Sequence, residues 1–484
     1  MERLFGRQMI FTDEKQITVS NVIDVLNQAL IIHEGNRSQI KYLWQYYKGN
    51  QPILDRVKEV RPEIMNIVVE NRANEIVTFK SGYLMGEPVQ YVSRGSDENL
   101  EESINQLNDF CFAEEKAAKD KKLSDWFHIF GTAYRMTLPN VEPDAESPFE
   151  ILIPVPWNTF VVYSNELGAK PLMGVTYVID NMGIPIYSIY TKNEYFEVRL
   201  GQIMIHEGHV LGDIPIVEYP LNIARIGAFE IVILLLDAIN LTESNRIDGV
   251  EQFIQALMLF HNVDISTEDF DKLRELGALK FKDIDPTMKG EVDYLINNLN
   301  QAETQVLMDH MYDVVLTICG MPNRQMSATS TSDNVGSVIM RDGWSSAESR
   351  AKDTELMFRE SERKTLKLML NISRILKGLN LKLSNIEIKF TRRNYENIYV
   401  KAQVLDLMLN NPQVHPLLAF IHSGLFTDPE SAYAMSKEYY DEYLKKQQEM
   451  MMQNGGGNDS GTNTGNDSAN RNTSKTRKSG GTAD

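Results

Sequence analysis

The apolar positions change period several times along the chain. Residues 1–60 carry short helical groups, and "NRSQIKYLWQYYKG" ends at Gly49, a residue suited to closing a helix. In "VRPEIMNIVVENRANEIVTFKSGYL", Met65, Val68, Val69, Ala73, Ile76 and Phe79 fall on one helical stripe, with Pro62 near the first turn. The spacing predicts one helix over that whole stretch, ended by Gly82 and Gly86. "VQYVSRG" then alternates with period two, and a single helix is predicted from about 97 to 130. From Ala133 to Tyr219 the chain reads as strands: "FEILIPVP", "NTFVVYS", "GVTYVID" and "PIYSIYT" alternate and are rich in β-branched and aromatic residues. "DNMG" between two of them predicts a hairpin turn.

Helix resumes at about Ala228 and is predicted to reach Phe260, with a break near Ser244–Gly249. A short mixed insert follows, in which "GALKFKDIDP" is the best strand. "NQAETQVLMDHMYDVVLTICG" returns to helix and stops at Gly320, before the polar loop "MPNRQMSATSTSDNVGS". The longest helical pattern runs from Trp344 to Leu376, with Trp344, Ala347, Ala351, Phe358, Leu366, Met369 and Ile372 on one face. "SNIEIKFTRRN" is a strand, and about 395–452 is helical again. The Asn/Gly/Ser/Thr-rich tail lacks the apolar content to fold alone. Strands local in sequence between blocks of helix predict an α+β chain. The helices at 228–260 and 300–320 are placed to hold the insert between them at its tip.

Composition narrows the function. With 42% hydrophobic and 24% charged residues, the 484-residue chain can bury several cores. Its formal net charge is −18, from 67 acidic and 49 basic residues, so its overall field opposes tight nucleic-acid binding, which needs cations to displace phosphate counterions. Two cysteines, Cys111 and Cys319, make neither a disulfide framework nor a zinc set. "MERLFGRQMIFTDEK" has no apolar signal core, and "FEIVILLLDAINL" is too short to span a bilayer, so no membrane association is expected.

The chain contains no G-x-x-x-x-G-K-[ST] loop for nucleotide phosphates and no G-x-S-x-G nucleophile turn. His206, Glu207 and His209 in "IHEGHVLGD" are the best metal candidates, but an odd spacing on a strand sends the histidines to opposite faces. Asp283 and Asp285 could share one strand face and hold Mg²⁺; Pro286 argues instead for a solvated strand-to-turn junction. "EKAAKDKKL" (115–123) reads as a solvated helix face, and "KFTRRN" (389–394) and the tail's Arg471, Lys475, Arg477 and Lys478 are the remaining basic clusters. The glycines of "FKSGYLMGEPVQYVSRG" do not form a phosphate cradle, since strand and not a helix N-terminus follows them. No catalytic residues, metal set or cofactor are expected.

Several stretches, in order, resemble the portal (head–tail connector) proteins of long-tailed phages. "YYKGNQPIL" is similar to that family's early motif and "NRANEIVTFKSGYLMGEPVQY" to its helix–Gly–strand segment. "LGDIPIVEYPLN" followed by "GAFEIVILLLDAINLTESN" resembles the link into its first stem helix, and "NVGSVIMRDGWSSAESRAKDTELMFRESERKTLKLML" the loop and long helix after the second. "FTDPESAYAM" matches the C-terminal region more loosely. Val335-Gly336 stands where many members carry Thr-Gly or Ser-Gly.

The resemblance implies a portal fold. It divides the chain into a wing (1–228 and 337–392), two stem helices (229–260 and 299–320), a clip (261–298), a tunnel loop (321–336), a helical crown (393–452) and a disordered tail (453–484). It implies a homo-oligomeric, dodecameric ring at one capsid vertex of the virion, assembled in the host cytoplasm, through which double-stranded DNA is packaged and ejected. The implied partners are the terminase large subunit, head-completion or adaptor protein, and scaffolding and major capsid proteins. Arg324, Gln325, Ser327, Thr329, Ser330, Thr331, Ser332 and Arg341 would line the DNA channel, the small neutral residues giving non-adhesive contact and the arginines meeting phosphate or a neighbouring subunit. The alternatives are another head-assembly protein (minor capsid or adaptor), which would lack the stem–clip–stem plan, and a metal-dependent nuclease using Asp283, Asp285 or the His206 cluster.

Overall fold

The structure is a computed structural model that describes residues 6–94, 98–142, 144–254, 257–264, 282–285, 287–295, 301–323, 343–391, 398–426 and 428–454. The chain divides into two compact units, residues 1–398 and 399–484. It is an α+β protein, as the strand-within-helix order predicts.

The first unit is built on a six-stranded sheet. In it β1 (Ile10–Thr12) runs parallel to β5 (Thr159–Ser164), and β5, β6 (Pro171–Ile179), β7 (Pro185–Tyr190), β8 (Glu194–Arg199) and β9 (Gln202–Gly208) form an antiparallel meander. The 180–183 turn joins β6 to β7, with Gly183 at φ 79°. Alternate residues Phe160, Val162, Met173, Val175, Ile189, Phe196 and Val198 point to one side, where α1 (Val22–Tyr47) covers them with Val22, Val25, Leu26 and Ala29. Each such buried side chain contributes about 1.5–3 kcal/mol of transfer free energy. On the other side Val161 meets Tyr134, Met136, Ile214 and Ile216. These belong to or adjoin a three-stranded sheet of β10 (Ile216–Pro220), β3 (Thr132–Pro139) and β4 (Phe149–Leu152).

Helices enclose this second sheet. The predicted helix over 97–130 is two: α3 (Glu98–Ala113) and α4 (Lys116–Phe130), broken at Glu115, whose φ is 50°. The long helix, α7 (Trp344–Lys377), buries Ala347, Ala351, Phe358, Leu366, Met369 and Ile372, six of the seven positions on the apolar stripe. Its C-terminal half packs with α3 and with a two-stranded sheet of β2 (Gln90–Ser93) and β15 (Ile386–Lys389).

Two further expectations are corrected. The helix predicted from Val60 to Leu84 starts only at Arg72: α2 spans Arg72–Met85, and residues 56–71 are non-helical. The helix predicted to reach Phe260 ends earlier, as α5 (Ile233–Ile254), and has no break near Ser244. Leu257–Phe260 instead belong to strand β11 (Leu257–His261), which pairs antiparallel with β14 (Glu291–Leu295); β12 (Val263–Asp264) pairs with β13 (Lys282–Asp283). The chain then returns in α6 (Gln301–Cys319). Leu236 and Ile239 of α5 share a core with Met308, Val315 and Leu316 of α6 and with Ile40, Leu43 and Tyr46 of α1.

The second unit holds α8 (Ile398–Leu409), α9 (Pro416–Ser423) and α10 (Pro429–Asn454). His415 caps α9 by accepting from Leu417 N, and Phe420 packs against Phe426 and Tyr433. Most of α10 is exposed, including Met435, Tyr439 and Tyr440.

Candidate functional site

The described residues concentrate their polar chemistry at the root of the α5–α6 pair. Non-helical residues 66–70 lie along α5 as a strap. Asn66 N donates to Asp248 Oδ1 at 2.7 Å, Val68 N to Ser244 Oγ at 3.0 Å and Glu70 N to Asn240 Oδ1 at 2.8 Å. Every second residue of the strap thus meets every fourth residue of the helix, in opposite directions. Two residues of extended chain advance about 6.6 Å and four residues of helix about 6 Å, so the two repeats stay in step over three contacts. This is why 66–70 is not helix: the amides of Asn66, Val68 and Glu70 are satisfied by side chains of α5. It is also why α5 tolerates Asn240, Ser244 and Asp248, all buried, without breaking.

Further contacts fix the strap. Asp248 Oδ2 accepts from Arg56 at 2.9 Å and Lys58 at 3.1 Å, and Gln51 Oε1 accepts from Asn240 Nδ2 at 2.5 Å. Burial would raise the Asp248 carboxyl, but the hydrogen bonds from Asn66 and the nearby Lys58 and Arg56 outweigh it and hold it below the usual range. The start of the helix is pinned by a buried ion pair, Arg7–Glu230 at 2.6 Å, and Tyr46 Oη donates to Asp237 at 2.9 Å. On α6, Tyr312 Oη donates to Glu75 at 2.8 Å while the Arg72 guanidinium sits 4.1 Å over the Tyr312 ring.

A second polar cluster ties α7 to this body. Glu362 is fully buried and accepts four donors: Tyr91 Oη (2.5 Å) and Lys116 Nζ (3.0 Å) at Oε1, and Arg135 Nη1 (2.7 Å) and Tyr219 Oη (2.7 Å) at Oε2. Asp120 completes the set, pairing with Arg135 and, at 2.5 Å, with Lys116. Two cations and two anions cancel, and the lone pairs of Glu362 are filled, the condition under which buried charge is tolerated. Burial alone would raise Glu362; Arg135, Lys116 and the two tyrosines reverse it and bring it to about 2.

The metal candidates do not converge. His206 stacks on Phe196 at 4.7 Å and lies 3.6 Å from Glu194, whereas His209 faces the carbonyl of Thr191 at 3.0 Å. The Asp285 carboxylate accepts from Thr287 N and Oγ1, making the turn expected there. No group of three metal-ligating side chains occurs among the described residues. The solvated-face reading of 115–123 is corrected: Lys116 and Asp120 are buried in the ion cluster. Arg324, Gln325, Ser327, Thr329, Ser330, Thr331, Ser332 and Arg341 lie outside the described residues, as do Arg392, Arg393 and the basic residues of the tail. No helix among the described residues is long and apolar enough to cross a membrane.

A model of the family "Phage portal protein, SPP1 Gp6-like" matches residues 28–454. The chain belongs to that portal family. The match contains every motif on which the resemblance rested, and it makes the protein a phage structural component of the head–tail connector class. No curated protein matches the portal chain in sequence. A solved structure described as the neck of an empty GTA particle, computed with C6 symmetry, is similar at 14% identity and a TM-score of 0.43, covering 73% of this chain and 90% of that one. Family membership gives the α5–α6 pair its context: the strap and the shared core with α1 are what hold it against the rest of this portal chain.

Proposed function

We propose that copies of this chain close into a ring at one capsid vertex and that double-stranded DNA is packaged and ejected along the ring's axis. The observation that carries this reading, given the family, is the helix pair: α5 and α6 leave a shared core and are joined by the paired strands β11 and β14. In this reading the pair is the stem and residues 261–298 are the clip. Residues 321–336 are the tunnel loop with Arg324 and Arg341 beside it, residues 1–228 and 337–392 the wing, and the second unit the crown. Outward apolar residues on the stem, Leu234, Leu241, Val306 and Leu307, suit burial against neighbouring copies. A ring generated by rotation needs two different complementary faces on each subunit.

The acidic balance supports a conduit and not a clamp. Attraction grows with each phosphate neutralised and would retard DNA at every step. The chain does no chemistry in this reading; the terminase large subunit supplies the motor and docks on the clip, and head-completion, scaffolding and major capsid proteins bind elsewhere on the ring. Negative-stain images and native mass of the purified protein test it. Rings with an axial hole are expected, and a monomer at all concentrations and salt conditions would overturn the reading.

A further inference from the structure

Where α2, α4, α6 and α7 meet, a pocket of about 670 Å³ is lined by Lys80, His128, Cys319, Arg350 and the 221–228 loop. Lys80 is half-buried, yet among the described residues its ammonium makes no hydrogen bond and no ion pair. Burial lowers its pKa; Cys319 opposes that and Arg350 adds to it. The guanidinium of Arg350 is likewise unpaired, its side chain lying against Gly320. His128 beneath is neutral, its pKa brought down to about 3 by burial, and an imidazole in either form supplies no anion to Lys80. A cation withdrawn from water without an anion is costly, and one already facing a second cation more so.

The mouth of this pocket is apolar and exposed: Ile223 is 86% and Leu356 64% accessible, with Ile231 and Ile318 beside them. The loop bearing Ile223 is rigid. Asn222 bonds both Ile226 N (3.1 Å) and Ile226 O (2.8 Å), and Arg225 is clamped to Glu218 at 2.8 Å. A preformed apolar rim around an unsatisfied charge is the arrangement of an interface centre, where one desolvated charged pair sits inside a ring of apolar contact.

We infer that Lys80, with Arg350 at its rim, receives a carboxylate from a second copy of this chain, and that Ile223 and Leu356 pack around the entering segment. The inference rests on the ring reading above. Carboxylates are in excess on this chain, 67 against 49 basic residues, so a cation left unpaired within one copy has many complementary partners on a neighbour. A DNA phosphate fits less well. A phosphate backbone has no apolar surface to cover Ile223 and Leu356.

The test is carbodiimide coupling, which joins an amine to a carboxylate in direct contact, on rings assembled from equal parts isotopically light and heavy wild-type chain. The expected result is a mixed light–heavy peptide joining Lys80 to an Asp or Glu. Lys80→Met should raise the subunit concentration needed to keep rings intact by about tenfold or more, without lowering the melting temperature of the unassembled chain. Lys80→Arg should restore assembly. Rings in which Lys80 never couples between copies, or coupling only within one copy, would overturn this inference and leave the ring reading standing. A wild-type chain that forms no rings would overturn both. Lys80 protected from modification only when DNA is added would assign the pocket to phosphate and overturn the inference.

Discussion

Arg135 and Glu362 stand 227 residues apart in sequence and meet at 2.7 Å with neither side chain exposed to solvent. Arg135 comes from the middle of β3 and Glu362 from the long helix α7, so this pair fixes where that helix crosses the sheet. Glu362→Gln keeps the shape but removes one anion, leaving Lys116 and Arg135 opposite Asp120 alone. Breaking one member of such a buried set costs about 3–5 kcal/mol. A large fall in melting temperature is expected, or a chain that does not fold; an unchanged melting temperature would remove the cluster from the account of stability.

Acid should unfold the chain in two stages. His33 is pushed down to about 4 and His128 to about 3, burial being the main cause in both. Each is neutral in the fold and protonates near 6.5 when unfolded. Their contribution is therefore complete above about pH 6.5 and is lost as pH falls toward 4 and 3. The depressed carboxyl of Glu362 adds a later loss, complete in its stabilisation above about pH 4.5 and gone as pH approaches 2. Chemical denaturation of the unassembled chain at a series of pH values should show the decline beginning near 6.5. His33→Gln should shrink the first stage, leaving the His128 part of it, and keep the second; a decline beginning only below pH 4.5 would contradict the histidine assignment.

Releasing the strap should be measurable amide by amide. Asn240→Ala and Ser244→Ala each remove the acceptor of one backbone N–H, at about 1–3 kcal/mol for a buried donor left unpaired. Hydrogen exchange should accelerate at Glu70 in the first variant and at Val68 in the second, with the other strap amides less affected. Asp248→Ala should loosen Asn66 together with Arg56 and Lys58, and admit proteases between residues 56 and 66. Equal exchange in all three variants and wild type would show that the strap is held by something else.

Legibility in the sequence followed local periodicity. Alternation found the strands from Phe160 to Ile189 and the 180–183 turn, and the stripe on α7 named six residues that are buried. The same stripe also carries Glu355 and Glu362, at the spacing of the apolar positions, and that was the available signal for a buried charge. Lys116 and Asp120 gave none, because an alternating-charge helix reads as solvated until Arg135 is known to face it. The strap was misread as helix for a related reason: Met65, Val68 and Val69 keep a helical spacing, but the partners that win their neighbours' amides lie some 170–182 residues downstream. Family membership was legible because it depends on collinear local motifs, which tolerate such errors. The proposed channel residues were named through the same resemblance, and the stretch that holds them carries too few apolar positions for periodicity to place it.

Two glycines with the same backbone angle should respond differently to alanine. Gly131, at φ 80°, joins α4 to β3, and Gly183, at φ 79°, sits in the β6–β7 turn. A left-handed conformation costs a non-glycine residue about 1–2 kcal/mol, and at Gly183 that is the whole expected penalty, since a Cβ there meets nothing within 4 Å. At Gly131 a Cβ would stand 2.1 Å from Arg225 O and 2.7 Å from Ile226 N, which are backbone atoms. They cannot yield easily. Leu221 N is bonded to Gly131 O at 2.9 Å, Ala228 N to His128 O at 2.7 Å, and Arg225 itself to Glu218. The same loop presents Ile223 to the proposed subunit contact. Gly183→Ala should thus lower the melting temperature slightly and still assemble. Gly131→Ala should destabilise the chain by several times as much and, where it folds, displace the 221–228 loop and weaken assembly. Similar effects of the two substitutions would mean that the 221–228 loop moves aside freely, and would remove the rigidity on which the subunit contact depends.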